Sequence, residues 1–280
     1  MQEADIVLYD RLISPEILSL INPAAQMVYV GKQAGFHTRT QYEISQLLGI
    51  FATDPNPPSP SSPSPTTTAT TNQTNTFSSS KNNDNDSRKR RRLIVRLKGG
   101  DPYIFGRGGE EVEYLQSLGV EVYVTPGITA ASGIGAELGI PMTSRGVATS
   151  VKYITGHFKE GSSECLGEVD PGMTLVVYMG LGRLKEIVEE LGGKGVRRGM
   201  PAVAVERGCT REQRVVWGTV KELAGKVEEV GLRSPTLIII GEVVALARGW
   251  KKEYGEVVEG EEIKENKESV MHRARADVAV

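Results

Sequence analysis

The segment RLKGGDPYIFGRGGEE, Arg96 to Glu111, places two glycines and an aspartate directly after an apolar run, then sets an arginine between glycines ahead of two carboxylates. Gly99 and Gly100 would let a ligand approach the backbone closely. Asp101 could accept hydrogen bonds from hydroxyl or amino groups, and Pro102 would stiffen the exit. An ordinary tight turn uses the same residue types, so this stretch alone favours neither reading. Arg107, between Gly106 and Gly108, is not explained by helix propensity; a planar guanidinium on backbone that can come close to a ligand suits a carboxylate-bearing substrate. Glu110 and Glu111 fall in the first turn of the next helix, where carboxylates gain ~0.3–1 kcal/mol from the helix dipole.

Two further clusters join these. Asp10 and Arg11 follow a first strand-like run, DIVLY, and Lys32 follows a second, QMVYVG. Strands that run parallel would put all three on the rim that holds Asp101 and Arg107; exposed strand-end charges with no ligand account for them equally well. No G-x-x-x-x-G-K-[ST] phosphate loop occurs. SGIGAELG, Ser132 to Gly139, imitates a dinucleotide fingerprint with Glu160 further on, but Gly133 lies well past the preceding strand-like run, so small-residue helix packing explains it better. Cys165 and Cys209 are far apart, and His37, His157 and His272 have no metal-ligand spacing, so neither a disulfide framework nor a metal site is expected.

The elements that must position these groups alternate along the chain. DIVLY and QMVYVG read as strands, SPEILSLI as a short helix capped by Ser14 with Pro15 first, and TQYEISQLLG as a helix with a Thr40–Glu43 capping box ending at Gly49. RLIVRL, a helix closed by Gly119, and VEVYV follow. Then come SVKYIT, GMTLVVYMG, PAVAVE, QRVVWGT and PTLIIIG as strands, with LKEIVEELGG and TVKELAGKVEEVG as amphipathic helices. This predicts two adjacent α/β domains: an N-terminal one over 1–133, with a disordered Pro/Ser/Thr/Asn insertion at about 50–91, a C-terminal one over 134–250, and a mobile charged tail over 251–280. The RKRRR run at Arg88–Arg92 reads as a solvated strand entry. Formal net charge is −2 over 280 residues, so nothing global advertises nucleic acid or an anionic membrane as a partner. No apolar run approaches the ~20 residues of a membrane helix.

ADIVLYDRL, VGKQAG, VRLKGGDPYIFGRGGEE, VTPGITAASGIGAELGIPMTSRG, TGHFKEG, LVVYMGL, AVAVERGCT and SPTLIIIGEVV together resemble the uroporphyrinogen-III C-methyltransferases of the tetrapyrrole methylase family. The likeness runs from Ala4 to about Val244 outside the insertion, and GVATS, ERGCT and SPTLIIIG look most like plant and algal members. It implies a mostly parallel first sheet, a mixed second sheet, a cofactor trough between the domains and a homodimer. The implied reaction methylates uroporphyrinogen III at C2 and C7 with S-adenosyl-L-methionine, giving precorrin-2 for sirohaem, without a metal. The implied compartment is the plastid, with the cytoplasm as alternative.

Carried over by motif, the resemblance implies cofactor contacts at Gly99, Gly100, Asp101, Ile104, Thr129, Ala130, Met179 and Gly208. It implies proton acceptor and donor roles at Asp10 and Lys32, and substrate handling or catalysis at Arg107 and Glu110. Arg145 of TSRG matches another substrate-side arginine, and Arg11 stands beside them. A carboxylate, Asp10 or Glu110, suits the base better than Arg107, whose pKa above ~12 makes it a poor acceptor. Family members begin with a strand and a G-x-G-P-G-D-P loop, whereas MQEAD matches the end of the helix after that loop. A start inside the family's first unit is therefore expected; a non-catalytic binding remnant, or a methylase with another substrate, is the alternative.

Overall fold

The computed structural model describes residues 1–31, 39–54, 92–156 and 166–254. The expected insertion, apart from residues 50–54, lies outside them, as do Lys32, Cys165 and all three histidines. The chain divides into two compact units, Met1–Pro126 and Gly127–Val280.

The first unit holds β1 (Ile6–Tyr9), α1 (Pro15–Leu18), β2 (Gln26–Tyr29), α2 (Gln41–Thr53), β3 (Ile94–Leu97) and α3 (Gly108–Ser117). The strands form a parallel sheet in the order β2-β1-β3, with Ile6 opposite both Gln26 and Ile94. β1 is apolar on both faces because both are covered. Ile6 and Leu8 pack with Ile44, Leu48 and Phe51 of α2 and Leu115 of α3, while Val7 packs with Ala4, Ile21 and Ala25. The Ser14 cap and the Thr40–Glu43 capping box form as the sequence predicts.

Two expectations fail here. α2 does not stop at Gly49 but continues through Thr53, because Phe51 is buried in the core and Thr53 Oγ1 donates back to the Gly49 carbonyl. VEVYV forms no strand: Val120 and Val122 are half-buried against the core and Glu121 and Tyr123 are exposed, but the segment pairs with no strand among the described residues. Alternation reports which side chains are covered, not whether a neighbouring backbone accepts the ladder.

The second unit holds α4 (Ala130–Leu138), β4 (Ser150–Thr155), β5 (Met173–Tyr178), α5 (Leu184–Gly193), β6 (Pro201–Glu206), β7 (Arg214–Thr219), α6 (Val220–Val230), β8 (Thr236–Ile240) and α7 (Arg248–Tyr254). Its mixed sheet has the order β4-β5-β8-β6-β7, with β4 and β5 parallel and β8 antiparallel to both β5 and β6. β5 and β6 therefore run the same way. The central strands are apolar on both faces: Leu175, Val177, Ala202, Ala204, Ile238 and Ile240 join Ile187 and Leu191 of α5 and Leu223 and Val227 of α6. Val176, Val203, Val205 and Ile239 face the other way, against Ala131 and Ile134 of α4 and Trp250 of α7. In the fingerprint-like run, a Cβ on Gly135 would meet the Ile140 carbonyl at 2.8 Å, so this glycine serves packing.

Residues 251–254, expected in the mobile charged tail, belong instead to α7, and the rest of that tail lies outside the described residues. α7 continues through Tyr254, whose ring stacks on Trp250 at 4.1 Å between centroids and whose hydroxyl donates to Glu222 at 3.1 Å. Lys226 sits over the same ring. Trp250 is fully buried, yet its indole N–H finds no acceptor among the described residues. Trp250→Ala should therefore cost about 3–5 kcal/mol, while Trp250→Phe, which also removes the unpaired N–H, should cost much less. Urea denaturation checks this; equal losses for the two variants would refute it.

Candidate active site

Because β1, β2 and β3 are parallel, their carboxyl ends share one edge of the first sheet. Asp10 leaves β1 there, and Lys98, Gly99, Gly100 and Asp101 leave β3. The two exits touch, since a Cβ on Gly99 would lie 3.2 Å from Leu12 Cβ. Gly100 has φ +81, and Asp101 Oδ1 accepts from the Tyr103 amide at 2.8 Å, so KGGDP is a real turn with exposed glycine backbone at its tip. The half-buried Ile104 follows, its amide donating to the Asp101 carbonyl.

Behind this rim lies a charge network that the sequence did not disclose. Asp10 accepts from the Leu12 amide on Oδ1 at 3.0 Å and from Arg96 Nη2 on Oδ2 at 3.2 Å. Arg96 Nε also faces Glu111 Oε1 at 3.5 Å. The same Glu111 oxygen accepts from Lys98 Nζ at 3.0 Å and Gln41 Nε2 at 2.9 Å. Burial, then the charge of Arg96, pulls the Lys98 pKa below its ordinary value, against the raising influence of Glu111. In the window between the lowered folded value and the ordinary one, the unfolded chain binds more protons, so the stability linked to Lys98 rises with pH there.

The sequence places Arg107 on backbone that can come close to a ligand. The structure gives its glycines another task. A Cβ on Gly106 or Gly108 would lie 2.6 or 2.7 Å from the Pro102 carbonyl oxygen, which accepts from the Gly108 amide at 2.9 Å. The turn is thus closely tied to its own backbone, and Phe105 and Arg107 take left-handed conformations, φ 53 and 56. From there Arg107 clasps Glu110, Nε to Oε1 at 2.8 Å and Nη2 to Oε2 at 2.6 Å. The hydrogen bonds from Arg107 hold the Glu110 carboxyl below its usual range. That makes Glu110 a weaker base. Arg11 is exposed next to Asp10, and Lys32 lies outside the described residues.

The second unit gathers its candidates at the carboxyl ends of β5 and β6. Thr129 caps α4 by accepting from the Ser132 amide at 3.0 Å, beside the exposed Ala130. The Ala131 amide donates to Tyr178 Oη at 3.2 Å, and burial raises the Tyr178 pKa. Met179 follows with φ 53 and an exposed side chain. Gly208 lies between Arg207 and Cys209, both at positive φ, and a Cβ there would overlap Ile134. Met179, Arg207 and Cys209, three non-glycine residues, thus hold left-handed backbone at strand exits on one sheet edge. Arg145 is not collected there: it is exposed on the turn approaching the amino end of β4. No helix among the described residues is long and apolar enough to cross a membrane.

Residues 1–224 match the Tetrapyrrole (Corrin/Porphyrin) Methylases model. The chain is 47% identical over 254 residues, 89% of its length, to the chloroplastic S-adenosyl-L-methionine-dependent uroporphyrinogen III methyltransferase of Arabidopsis thaliana, of which it covers 59%. It is 40% identical to the sirohaem synthase of Methylobacillus flagellatus, covering 88% of this chain and 45% of that protein. The chain thus spans about half the length of these relatives. Among solved structures, uroporphyrin-III C-methyl transferase from Thermus thermophilus complexed with S-adenyl homocysteine is similar with TM-score 0.62 and 37% identity, over 87% of this chain and 88% of that one.

The close approach at Pro102 gives a test within one turn. Gly106→Ala should destabilise by about 1–3 kcal/mol through backbone overlap, whereas Gly109→Ala, where a Cβ meets nothing within 4 Å, should be neutral or stabilising by up to ~1 kcal/mol. Thermal melts of both variants decide it; equal effects would show that the turn is not sterically fixed.

Proposed function

Since this chain belongs to the tetrapyrrole methylase family, we propose that it methylates uroporphyrinogen III at C2 and C7 in turn, giving precorrin-2 for the sirohaem branch. The observation that carries the reading is the first unit's rim, where Asp10, anchored by Arg96 and the Leu12 amide, leaves the sheet edge from which KGGDP also turns. The likeness to the Arabidopsis and Thermus enzymes supports the substrate.

The residues fit S-adenosylmethionine by the chemistry of their donors and acceptors: exposed backbone at Gly99 and Gly100, the Asp101 turn with Ile104, and, on the second unit, Thr129, Ala130, Met179 and Gly208. None of these carries a cation that would oppose a sulfonium. When bound, this group supplies an electrophilic methyl: a pyrrole carbon bonds to it as the S–CH3 bond breaks and S-adenosylhomocysteine leaves. Holding the partners at near-attack distance can contribute ~7–11 kcal/mol.

Alkylation leaves positive charge on the conjugated pyrrole nitrogen, and a proton must then leave the ring. Asp10 is the carboxylate we assign to stabilise that charge and accept the proton. Glu110 accepts from the Arg107 guanidinium on both oxygens and has its pKa lowered by it, whereas Asp10 accepts from a guanidinium on Oδ2 alone, so we assign the Arg107–Glu110 pair to orienting substrate rather than to taking a proton. Arg107 and Arg11, both exposed, address the carboxylates of the macrocycle. Lys32 as proton donor, Arg145 as a substrate-side arginine and a homodimeric assembly belong to the same reading. A plastid location is supported by the Arabidopsis relative, with the cytoplasm the alternative from the bacterial ones.

Mass spectrometry after anaerobic incubation of the chain with uroporphyrinogen III and S-adenosylmethionine should find two added methyl groups; an unmodified tetrapyrrole would instead mark a binding protein without transfer. Arg107→Lys should lower kcat/KM about tenfold or more, equivalent to ~1.4 kcal/mol, because an ammonium cannot hold Glu110 at two points and still reach a substrate carboxylate. Unchanged kinetics would remove the anchoring role.

A further inference from the structure

We propose that Arg96 is a positioning residue for Asp10, and that Glu111 is the buried anchor that holds Arg96 to that task. The inference rests on the methyl-transfer reading above and extends it one layer inward.

The register of β1 and β3 places Arg96 opposite Leu8. Leu8 faces the core beneath α2 and α3, so residues on that face should be apolar. On β1 the face reads Ile6, Leu8, Asp10, and on β3 it reads Ile94, Arg96, Lys98; charge replaces hydrocarbon one step earlier on β3. The extra charges are met from the helices, by Glu111 of α3 and Gln41 of α2. The side chains form a gradient: Glu111 is 6% exposed, Lys98 9%, Arg96 12% and Asp10 22%. Asp10 is the end that opens to solvent.

Arg96 reaches both carboxylates, Asp10 through Nη2 and Glu111 through Nε, while its Nη1 donates to the Leu97 carbonyl at 2.7 Å. Its Nε is buried and makes no hydrogen bond among the described residues, since the Glu111 oxygen it faces is held closer by Lys98 and Gln41. The Glu111 charge at 3.5 Å and the Nη1 bond to the Leu97 carbonyl set the direction of the guanidinium, and its side-chain hydrogen bond goes outward to Asp10. With the Leu12 amide on the other oxygen, both Asp10 oxygens are committed and the carboxylate has one orientation.

The test uses the full chain with Arg96→Met, Asp10→Asn, the double variant and Glu111→Gln. Arg96→Met should lower kcat about tenfold or more with KM changed less than about twofold, as expected for an effect felt only in the transition state. The double variant should be no slower than Asp10→Asn alone, because Arg96 acts through Asp10. Glu111→Gln, which keeps an oxygen for Lys98 and Gln41 but not the charge, should lower kcat by a smaller factor. Multiplicative losses in the double variant, or a loss confined to KM, would overturn the proposal. If Arg96→Met does not fold, Arg96→Lys, which keeps the charge without the two-ended reach, replaces it in the same cycle. A crystal structure of the Arg96 variant needs no turnover, so it decides the matter even if the native chain methylates nothing. Asp10 with a rotated or split carboxylate supports positioning, and an unmoved one refutes it.

Discussion

The parallel pairing of β1 with both β2 and β3 is the constraint on which the first unit depends. With β1 central and covered on both faces, its register cannot slip without turning Leu8 out of the core and Asp10 off the rim. Parallel strands also bring their carboxyl ends to one edge, so Asp10 and KGGDP meet although about 90 residues separate them in the chain. The edge then needs tight turns. Gly99 against Leu12, and Gly106 and Gly108 against Pro102, supply the room that side chains would fill.

The second unit reaches a comparable rim by a different route. Its sheet is mixed, but β8 is antiparallel to both β5 and β6, which restores a common direction to these two strands. Met179, Arg207 and Cys209 hold positive φ just past their ends, at a cost of order 1–3 kcal/mol each. The two-sided apolar sheet beneath them offsets that cost and keeps the strained exits in place.

Much of this was legible in the sequence. Every run read as a strand except VEVYV is one, the Ser14 cap, the Thr40–Glu43 box and the Gly119 stop fall at helix ends, and the quoted motifs sufficed to suggest the family. The failures share a cause. Whether Val120–Val124 joins a ladder, whether Phe51 is buried, and whether Tyr254 stacks on Trp250 all depend on partners distant in sequence. The candidate site was half legible for the same reason: GGDP and GRGGEE announce themselves locally, but nothing within RLIVRL singles out Arg96. Its charge at a position whose face should be apolar was the available signal. Only the pairing with Leu8 gives that signal meaning.

That same charge raises the question of why the network is ionic at all. Two cations and two anions at an inner strand end lose hydration, and well-packed apolar residues in such places are often equally stable or more so. The same burial lowers the Lys98 pKa. Stability therefore does not account for Arg96, Lys98, Glu111 and Asp10 standing where hydrocarbon would serve. What an apolar replacement could not provide is direction. A carboxylate gripped on both oxygens at the mouth of a sheet, with its guanidinium partner braced from inside, does not reorganise when charge appears before it, and such preorganisation gives an electrostatic group its effect on a reaction.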